Sequence, residues 1–153
     1  MGEFAVYQLK YGYFLFKYEQ GRIIQLRRIP EQPTDFGNKT DLTDQAAAEL
    51  EEYFDGKRKS FDFPYHMEGT AFQKKVWAEL CRIPYGQTRT YKEIAEAVGH
   101  PKASRGVGMA NHRNPISIVV PCHRVIGSNG ALVGYAGGLS MKEALLSLEE
   151  ANR

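Results

Sequence analysis

The chain has 153 residues, enough for one ordinary domain or two small ones and for a core that needs no disulfide bonds. Hydrophobic residues make up 42% and charged residues 25%, as in a soluble globular protein, and no apolar run approaches the ~18 residues of a membrane span. The first residues, Met1–Phe4, lack the basic and apolar regions of a signal peptide, so a cytoplasmic protein without a membrane partner is expected.

Charge is distributed unevenly along the chain. Residues 1–69 carry 9 Lys and Arg against 12 Asp and Glu, a net charge of −3, whereas residues 70–153 carry 11 against 6, a net charge of +5. No acidic residue occurs between Glu96 and Glu143. A basic surface without interspersed acids suits a phosphate backbone. The alternative, a solvated basic face without a ligand, stays open at this point.

Residues 4–29 alternate apolar and polar side chains and are rich in aromatic and β-branched residues, with Gln20-Gly21 as a turn. This pattern predicts a small antiparallel meander. The following residues, 30–41, contain two prolines, a glycine and an asparagine and are expected to form a loop.

A helix is predicted from Ala46 to Phe54, with Thr43 or Asp44 as its N-cap and Gly56 as its stop. Together with the meander it makes a small α/β unit. Because the composition shifts shortly afterwards, we expect a first domain over residues 1–66.

The second domain, residues 67–153, is expected to be mostly helical. Three helices are predicted near its start: 71–80, 91–98 and 102–111. Thr70 caps the first of them, and Thr90 with Glu93 forms a capping box at the second. Cys81 falls on what the pattern predicts to be a buried helix face. The second and third helices with their short turn fit a helix-turn-helix.

The third of these helices is unusually rich in small residues. It contains Gly106 and Gly108, and each glycine costs about 1 kcal/mol relative to alanine inside a helix. One explanation is a close approach to a nucleic-acid backbone. The other is close packing against a neighbouring helix, and the sequence leaves both open.

Cys122 and His123 follow an apolar run, residues 116–120, that is predicted to be a buried strand or extended segment. A free thiol is a few per cent thiolate at neutral pH, so a nucleophilic cysteine needs a base or a positive charge nearby. Adjacent residues of an extended strand point to opposite sides, so the pattern does not ensure direct contact, and a bridging water is the alternative. A histidine base usually needs a carboxylate partner, and Glu143 is the nearest downstream acid. Cys122, His123 and Glu143 are therefore a candidate relay.

A structural or metal-binding Cys-His pair is the competing interpretation. The two cysteines, Cys81 and Cys122, lie far apart and form no Cys-x-x-Cys motif. Neither a metal nor another cofactor is therefore expected. Downstream, Gly127–Gly130 is a predicted turn, Gly134–Gly138 a predicted loop, and Ser140 the predicted cap of a last helix.

The segment around Cys122 resembles the active-site signature of the O6-alkylguanine-DNA alkyltransferases, or methylated-DNA–protein-cysteine methyltransferases. The matching residues are Asn114-Pro115 and, after five further residues, Pro121-Cys122-His123-Arg124-Val125. The resemblance covers about residues 70–150 closely. It extends through further short matching runs: Phe72-Gln73, Val76-Trp77, Ile83-Pro84-Tyr85-Gly86, Thr90-Tyr91, Ile94-Ala95, Ala103 to Gly108, Ala110-Asn111 and Gly134 to Gly138.

The resemblance implies a small ribonuclease-H-like α/β domain followed by a mostly helical domain with a winged helix-turn-helix. It implies a suicide reaction, in which a monomer transfers one alkyl group irreversibly from O6-alkylguanine, or less readily from O4-alkylthymine, in double-stranded DNA. The base would be flipped out and the DNA bound through its minor groove.

Position by position, the resemblance makes Cys122 the alkyl acceptor, His123 its base through a water, and Glu143 the residue that orients His123. Asn114 would brace the active-site turn, and Tyr91 would assist flipping and protonate the leaving guanine. Other residues implied to contact DNA are Arg105, which would fill the gap left by the base, and Ala103, Ser104, Gly108 and Ser128. Those implied to form the base pocket are Val120, Tyr135 and Ala136.

The chain departs from the family pattern in three respects. Ala136 stands where some members have a serine that bonds the guanine oxygen, and Thr90 stands where serine is common. Residues 1–65 contain no Cys or His, so the structural zinc of some members is not expected. Two alternatives are a sensor of alkylated bases without repair activity, which the presence of Cys122 argues against, and a transcription factor, which leaves Cys122 and His123 without a role.

Overall fold

The computed structural model describes residues 3–135 and 137–153, and the chain divides into two compact units. The first unit runs to Glu68 and also includes Pro115–Val119, whereas the second comprises Gly69–Asn114 and Val120–Arg153. The sequence predicts a single boundary between residues 66 and 67. It does not predict that Pro115–Val119 belongs to the first unit. This association depends on pairing between distant segments, which a local shift in composition cannot show.

The first unit contains a three-stranded antiparallel sheet in the order β1 (Glu3–Leu9), β2 (Gly12–Glu19) and β3 (Arg22–Ile29). The turn between β2 and β3 has positive φ at both central residues, 51° at Gln20 and 74° at Gly21. This is the geometry of the two-residue turn that matches the twist of paired strands. The predicted meander is confirmed.

The apolar segment after Asn114 pairs with β3 over a short stretch. The Leu26 amide donates to the Pro115 carbonyl (2.8 Å), and the Ser117 amide donates to the Leu26 carbonyl (3.0 Å). Pairing then stops because Ile118 has a φ of 73°, a conformation that costs a non-glycine residue about 1–3 kcal/mol. The predicted strand is therefore a brief parallel bridge followed by a strained turn.

The helix of the first unit, α1 (Asp41–Phe54), begins earlier than predicted. Thr40 is its N-cap, because the Thr40 hydroxyl accepts from the Thr43 amide and the Thr43 hydroxyl accepts from the Thr40 amide. The predicted caps Thr43 and Asp44 thus lie inside the helix. The helix and sheet enclose an aromatic core with fully buried side chains: Phe14, Phe16, Tyr53 and Phe54.

The second unit is mostly helical. Its helices are α2 (Ala71–Leu80), α3 (Tyr91–Ala97), α4 (Ser104–His112) and α5 (Leu139–Asn152). Two short strands, β4 (Arg89–Thr90) and β5 (Val125–Ile126), pair in parallel, and a 3₁₀ turn, Cys122–Arg124, precedes β5. Capping boxes at Thr70 and Thr90 begin α2 and α3, so both predicted caps are confirmed.

Two helices of this unit start away from their predicted first residues. The Ala103 amide donates to the His100 carbonyl (2.9 Å), which makes residues 101–103 a separate turn and delays α4 to Ser104. Gly138, with a φ of 96°, precedes α5, and its carbonyl accepts from the Lys142 amide (3.1 Å). Ser140 is therefore inside the first turn and is not the cap.

Packing between α2 and α4 explains one of the two glycines of α4. The Trp77 indole N–H donates to the Ala110 carbonyl (2.8 Å), which ties the two helices together. A methyl group at Gly106 would lie 3.3 Å from the Phe72 ring, a tight contact, so close packing accounts for this glycine. At Gly108 the nearest atom, on the Tyr91 ring, would be 4.0 Å away. Packing within the unit does not require a glycine there.

One burial prediction is wrong. Cys81 lies at the C-cap of α2, one residue past the helix, and its side chain is exposed. The helical pattern does not continue to this position because the chain turns at residues 81–83. Within the two stretches that the structure describes, no helix has the length and apolar character needed to cross a membrane.

Candidate active site

Cys122 is the first residue of the 3₁₀ turn and is 3% exposed. Its amide donates to the Val120 carbonyl (2.8 Å), so the chain turns sharply at Pro121. The prediction that Cys122 and His123 lie on an extended strand is therefore wrong. In a 3₁₀ turn successive side chains differ in direction by about 120°. The two side chains consequently leave the same tight turn rather than opposite faces of a strand.

Two asparagine amides hold the backbone of this turn. The Asn111 side chain, at the end of α4, donates to the Cys122 carbonyl (3.2 Å). The Asn114 side chain donates to the Val120 carbonyl (2.7 Å). The amides thus fix the backbone on both sides of Pro121, which limits the positions open to the sulfur.

The partner of His123 is Glu149, not Glu143. His123 is fully buried, and its Nε2 lies 2.7 Å from Oε2 of Glu149. Glu143 is exposed on α5 and lies about 120° round the helix from Glu149. Glu143 was predicted because it is the nearest downstream acid in the sequence. The helical turns of α5 instead bring Glu149, six positions later, to the imidazole.

The Glu149 carboxylate accepts hydrogen bonds from several donors. Besides His123, the donors are Nε and Nη2 of Arg124 (both 2.8 Å) and the Gly86 amide (3.1 Å). Burial by itself would raise the pKa of Glu149, but the hydrogen bonds and charges of His123 and Arg124 hold it far below its ordinary value. Glu149 is therefore ionised at neutral pH.

His123 is held in its neutral form. Burial lowers its pKa because it disfavours the imidazolium, and the charges of Arg124 and Lys142 add to this effect. The hydrogen bond and charge of Glu149 act in the opposite direction without reversing it. With Nε2–H donated to the carboxylate, Nδ1 is the basic nitrogen of the ring.

A buried cation and a phenol, both of which interact electrostatically with Cys122, belong to the same cluster. The Lys142 ammonium donates to the carbonyls of Val125 (2.5 Å), Val133 (3.0 Å) and Gly134 (3.4 Å). Burial lowers the pKa of Lys142, and a negative charge on Cys122 raises it. The lysine charge therefore favours the thiolate.

The Tyr91 hydroxyl, at the start of α3, donates to the Val133 carbonyl (3.0 Å). Burial raises the pKa of Tyr91, and charge on Cys122 raises it further, whereas a hydrogen bond from Asn111 lowers it. The phenol therefore keeps its proton at neutral pH. Chemically, the arrangement offers a nucleophile, a base and a proton donor.

The remaining predicted residues lie on the helices and loops around this cluster. Ala103 precedes α4, Ser104 and Gly108 are partly covered on it, and Arg105 is exposed. Other predicted residues follow different elements: Ser128 is exposed in the turn after β5, Val120 is buried, and Tyr135 is half-buried. Ala136 lies outside the described residues.

Four residues of the cluster were not predicted as members of the site: Asn111, Arg124, Lys142 and Glu149. The signal for two of them lies in α5. Lys142, Leu145 and Glu149 share one buried helix face, where charged residues are rare unless they have partners. Among the residues that the structure covers, no group of three or more His, Cys, Asp or Glu is placed to hold a metal ion.

Comparison with known proteins identifies the family. Residues 71–151 match the family model of the 6-O-methylguanine DNA methyltransferase DNA-binding domain. The methylated-DNA–protein-cysteine methyltransferase of Methanosarcina barkeri is 59% identical over 122 residues, 80% of this chain and 77% of the relative. The constitutive enzyme of Bacillus subtilis is 44% identical over 158 residues, 97% of this chain and 96% of the relative. The chain belongs to the methylated-DNA–protein-cysteine methyltransferase family.

Solved structures agree with the family assignment. The crystal structure of the Mycobacterium tuberculosis O6-methylguanine methyltransferase matches with a TM-score of 0.89 and 39% identity, over 100% of this chain and 95% of the other. The crystal structure of Mycobacterium tuberculosis OGT in complex with DNA matches with a TM-score of 0.89 and 40% identity, over 97% and 93% of the two chains. The predicted resemblance is confirmed, and the chain is a DNA-repair methyltransferase that transfers the alkyl group to a protein cysteine.

Proposed function

We propose that the acceptor is Cys122 and that it takes one alkyl group irreversibly from O6-alkylguanine, or less readily O4-alkylthymine, in double-stranded DNA. The observation that carries the proposal is the buried Cys122 turn, in which His123 is bonded to an ionised Glu149. Cys81, the other cysteine of the sequence, is exposed at the end of α2. A positioned base and a nearby ammonium favour the thiolate form of Cys122.

The reaction is a single displacement. Nδ1 of His123 takes the Cys122 proton through a water while Glu149 holds the imidazole in its Nε2–H tautomer. The sulfur then forms a bond to the alkyl carbon as the bond from that carbon to guanine O6 breaks, and its electron pair stays on the base. Tyr91, which keeps its proton, donates it to the leaving guanine. The product is a thioether, which water does not cleave, so the protein acts once.

The lesion must leave the base stack to reach a buried sulfur, which costs a few kcal/mol. The exposed Arg105 side chain on α4 would fill the space left by the base, and Ser128 would contact the DNA strand. Val120 and Tyr135 would border the base, and Ala136 is assigned to the same pocket from sequence. The DNA complex of the Mycobacterium tuberculosis relative supports a DNA partner for this chain.

Two finer architectural assignments belong to the same proposal. We assign the first unit, with its three-stranded sheet and helix, to the ribonuclease-H-like class. We assign α3 and α4, with the β4–β5 pair, to a winged helix-turn-helix that enters the minor groove. A monomer suffices, because each member of the proposed relay comes from one chain.

The proposal is tested with DNA that carries radiolabelled O6-methylguanine. Label should move to the wild-type protein and stop near one methyl group per molecule. Cys122→Ala should accept no label, and the matched variant Cys81→Ala should accept as much as the wild type. Continued turnover, or transfer to the Cys122→Ala protein, would contradict the proposal, and binding without transfer would favour a sensor.

Gly108→Ala provides a separate test of the DNA-binding face. Alanine makes an ordinary contact of 4.0 Å with Tyr91, so it should stabilise α4 by about 1 kcal/mol. If α4 approaches a DNA backbone closely, the same methyl group should weaken DNA binding about tenfold. Urea denaturation and fluorescence anisotropy with a duplex measure the two effects. Unchanged affinity would show that Gly108 does not lie against DNA.

A further inference from the structure

Arg124 follows Cys122 and His123 in the same turn, and its guanidinium is fixed on several sides. Nε and Nη2 grip both oxygens of Glu149 (2.8 Å each), and Nη1 donates to the Ile83 carbonyl (2.8 Å). The group also lies over the Tyr85 ring, 5.6 Å from its centre. A planar fork that bonds both carboxylate oxygens is a geometry that lysine cannot reproduce.

The bidentate contact of Arg124 is important because Glu149 also accepts a hydrogen bond from His123. A carboxylate in a low-dielectric interior raises the pKa of a neighbouring imidazole, and a second cation beside the carboxylate offsets this effect. Arg124 neutralises Glu149, so the imidazole needs to supply a hydrogen bond but no charge. Lys142 is the cation that compensates charge on Cys122. The buried charges thus pair without His123.

We propose that Arg124 is a positioning residue that keeps His123 neutral by taking up the charge of Glu149, so that His123 can accept the Cys122 proton. This inference rests on the proposed role of His123 as a base. The imidazolium has no lone pair that can accept a proton, so the charge of Glu149 must not raise the pKa of His123 enough to protonate the ring. Arg124 leaves Glu149 to orient the ring without protonating it.

The pKa of His123 is lowered chiefly by burial and is adjusted by charged groups packed around the ring. Its own turn carries Cys122 and Arg124, and α5 contributes Lys142 and Glu149. Tyr85 and Tyr91 keep their protons because burial, the first cause in each case, raises the pKa of both. Glu149 raises the pKa of His123 against the effect of burial, and Arg124, with Lys142 acting in the same direction, offsets that rise.

Two variants separate the charge of Arg124 from its shape. Arg124→Gln removes the charge, whereas Arg124→Lys keeps it, and both lose the fork and shorten the reach to Ile83. NMR of ring-labelled histidine follows the titration of His123 in each folded protein. In the wild type, its midpoint should lie below that of an ordinary histidine. It should move to higher pH in Arg124→Gln and stay near the wild-type position in Arg124→Lys.

Alkyl transfer gives the second readout. The rate of Arg124→Gln at neutral pH should fall about tenfold, as expected if the pKa of His123 rises to about one unit above the pH of the assay. The rate should recover as the pH rises. The acid limb of the Arg124→Lys profile should coincide with that of the wild type even if its rate is lower at every pH. Equal profiles for the wild type and Arg124→Gln would overturn the inference.

The two readouts also distinguish this inference from the proposed function. If the wild type transferred no alkyl group while the His123 titration moved as expected, the function would fail and the charge balance would stand. If Arg124→Gln did not fold, the wild-type titration would decide, because a His123 midpoint at or above the ordinary value contradicts the inference.

Discussion

Glu149→Gln is expected to lower the rate of alkyl transfer about 100-fold, whereas Glu143→Gln should leave it unchanged. Glutamine keeps the size of the side chain but has no negative charge to attract His123. Its amide NH2 group also stands where a carboxylate oxygen accepted a hydrogen bond from Arg124 or His123. A misoriented base loses most of the benefit of general base catalysis. Single-turnover kinetics with a duplex that contains O6-methylguanine measure both variants.

A fall in rate must be separated from a loss of folded protein. Glu149→Gln leaves the buried Arg124 without its anion, which costs about 3 kcal/mol or more. Rates should therefore be measured at a temperature where circular dichroism shows the variant to be folded. An equal loss for Glu143→Gln, or a Glu149→Gln variant as fast as the wild type, would refute the assignment of Glu149 to the relay.

The free energy of unfolding is expected to fall as the pH is lowered, in two windows. The pKa of His123 is depressed below the ordinary 6.5, so below about that pH the unfolded chain takes up a proton that the folded chain refuses. The pKa of Glu149 lies far below the ordinary 4.5, so its stabilising contribution is complete above 4.5 and is lost as the pH falls further. Each group contributes up to about 1.4 kcal/mol per pH unit within its window.

Urea denaturation at a series of pH values measures this dependence. Compared with the wild type, Glu149→Gln should be less stable at neutral pH and should lose less stability on acidification below 4.5. Glu143→Gln serves as the control and should follow the wild type. Parallel curves for the wild type and Glu149→Gln would mean that Glu149 is not held ionised by its neighbours.

Local features of the fold could be predicted from the sequence. The alternation of residues 4–29 gives three strands because each strand needs only its own period-two pattern and two tight turns. The caps Thr70 and Thr90 are confirmed because a capping box is contained in four consecutive residues. Thr40 was missed because a threonine, rather than the usual Glu or Gln, completes its box.

The sequence predicts the kind of relay and its first two members, Cys122 and His123, but not its acid. Cys122 and His123 are adjacent, so their proximity needs no fold. The acid partner depends on which face of α5 turns inward, and choosing Glu143 ignored that helix phase. Arg124 was missed because its role appears when the 3₁₀ turn and α5 meet at Glu149, a long-range contact without a sequence signature.

The most direct test of the central claim is peptide mapping by mass spectrometry after reaction with an excess of DNA that contains O6-methylguanine. We predict one added methyl group per protein molecule, on the peptide that contains Cys122, with no further gain on longer incubation. A methyl group on Cys81, or release of normal guanine DNA in excess of protein, would contradict the account.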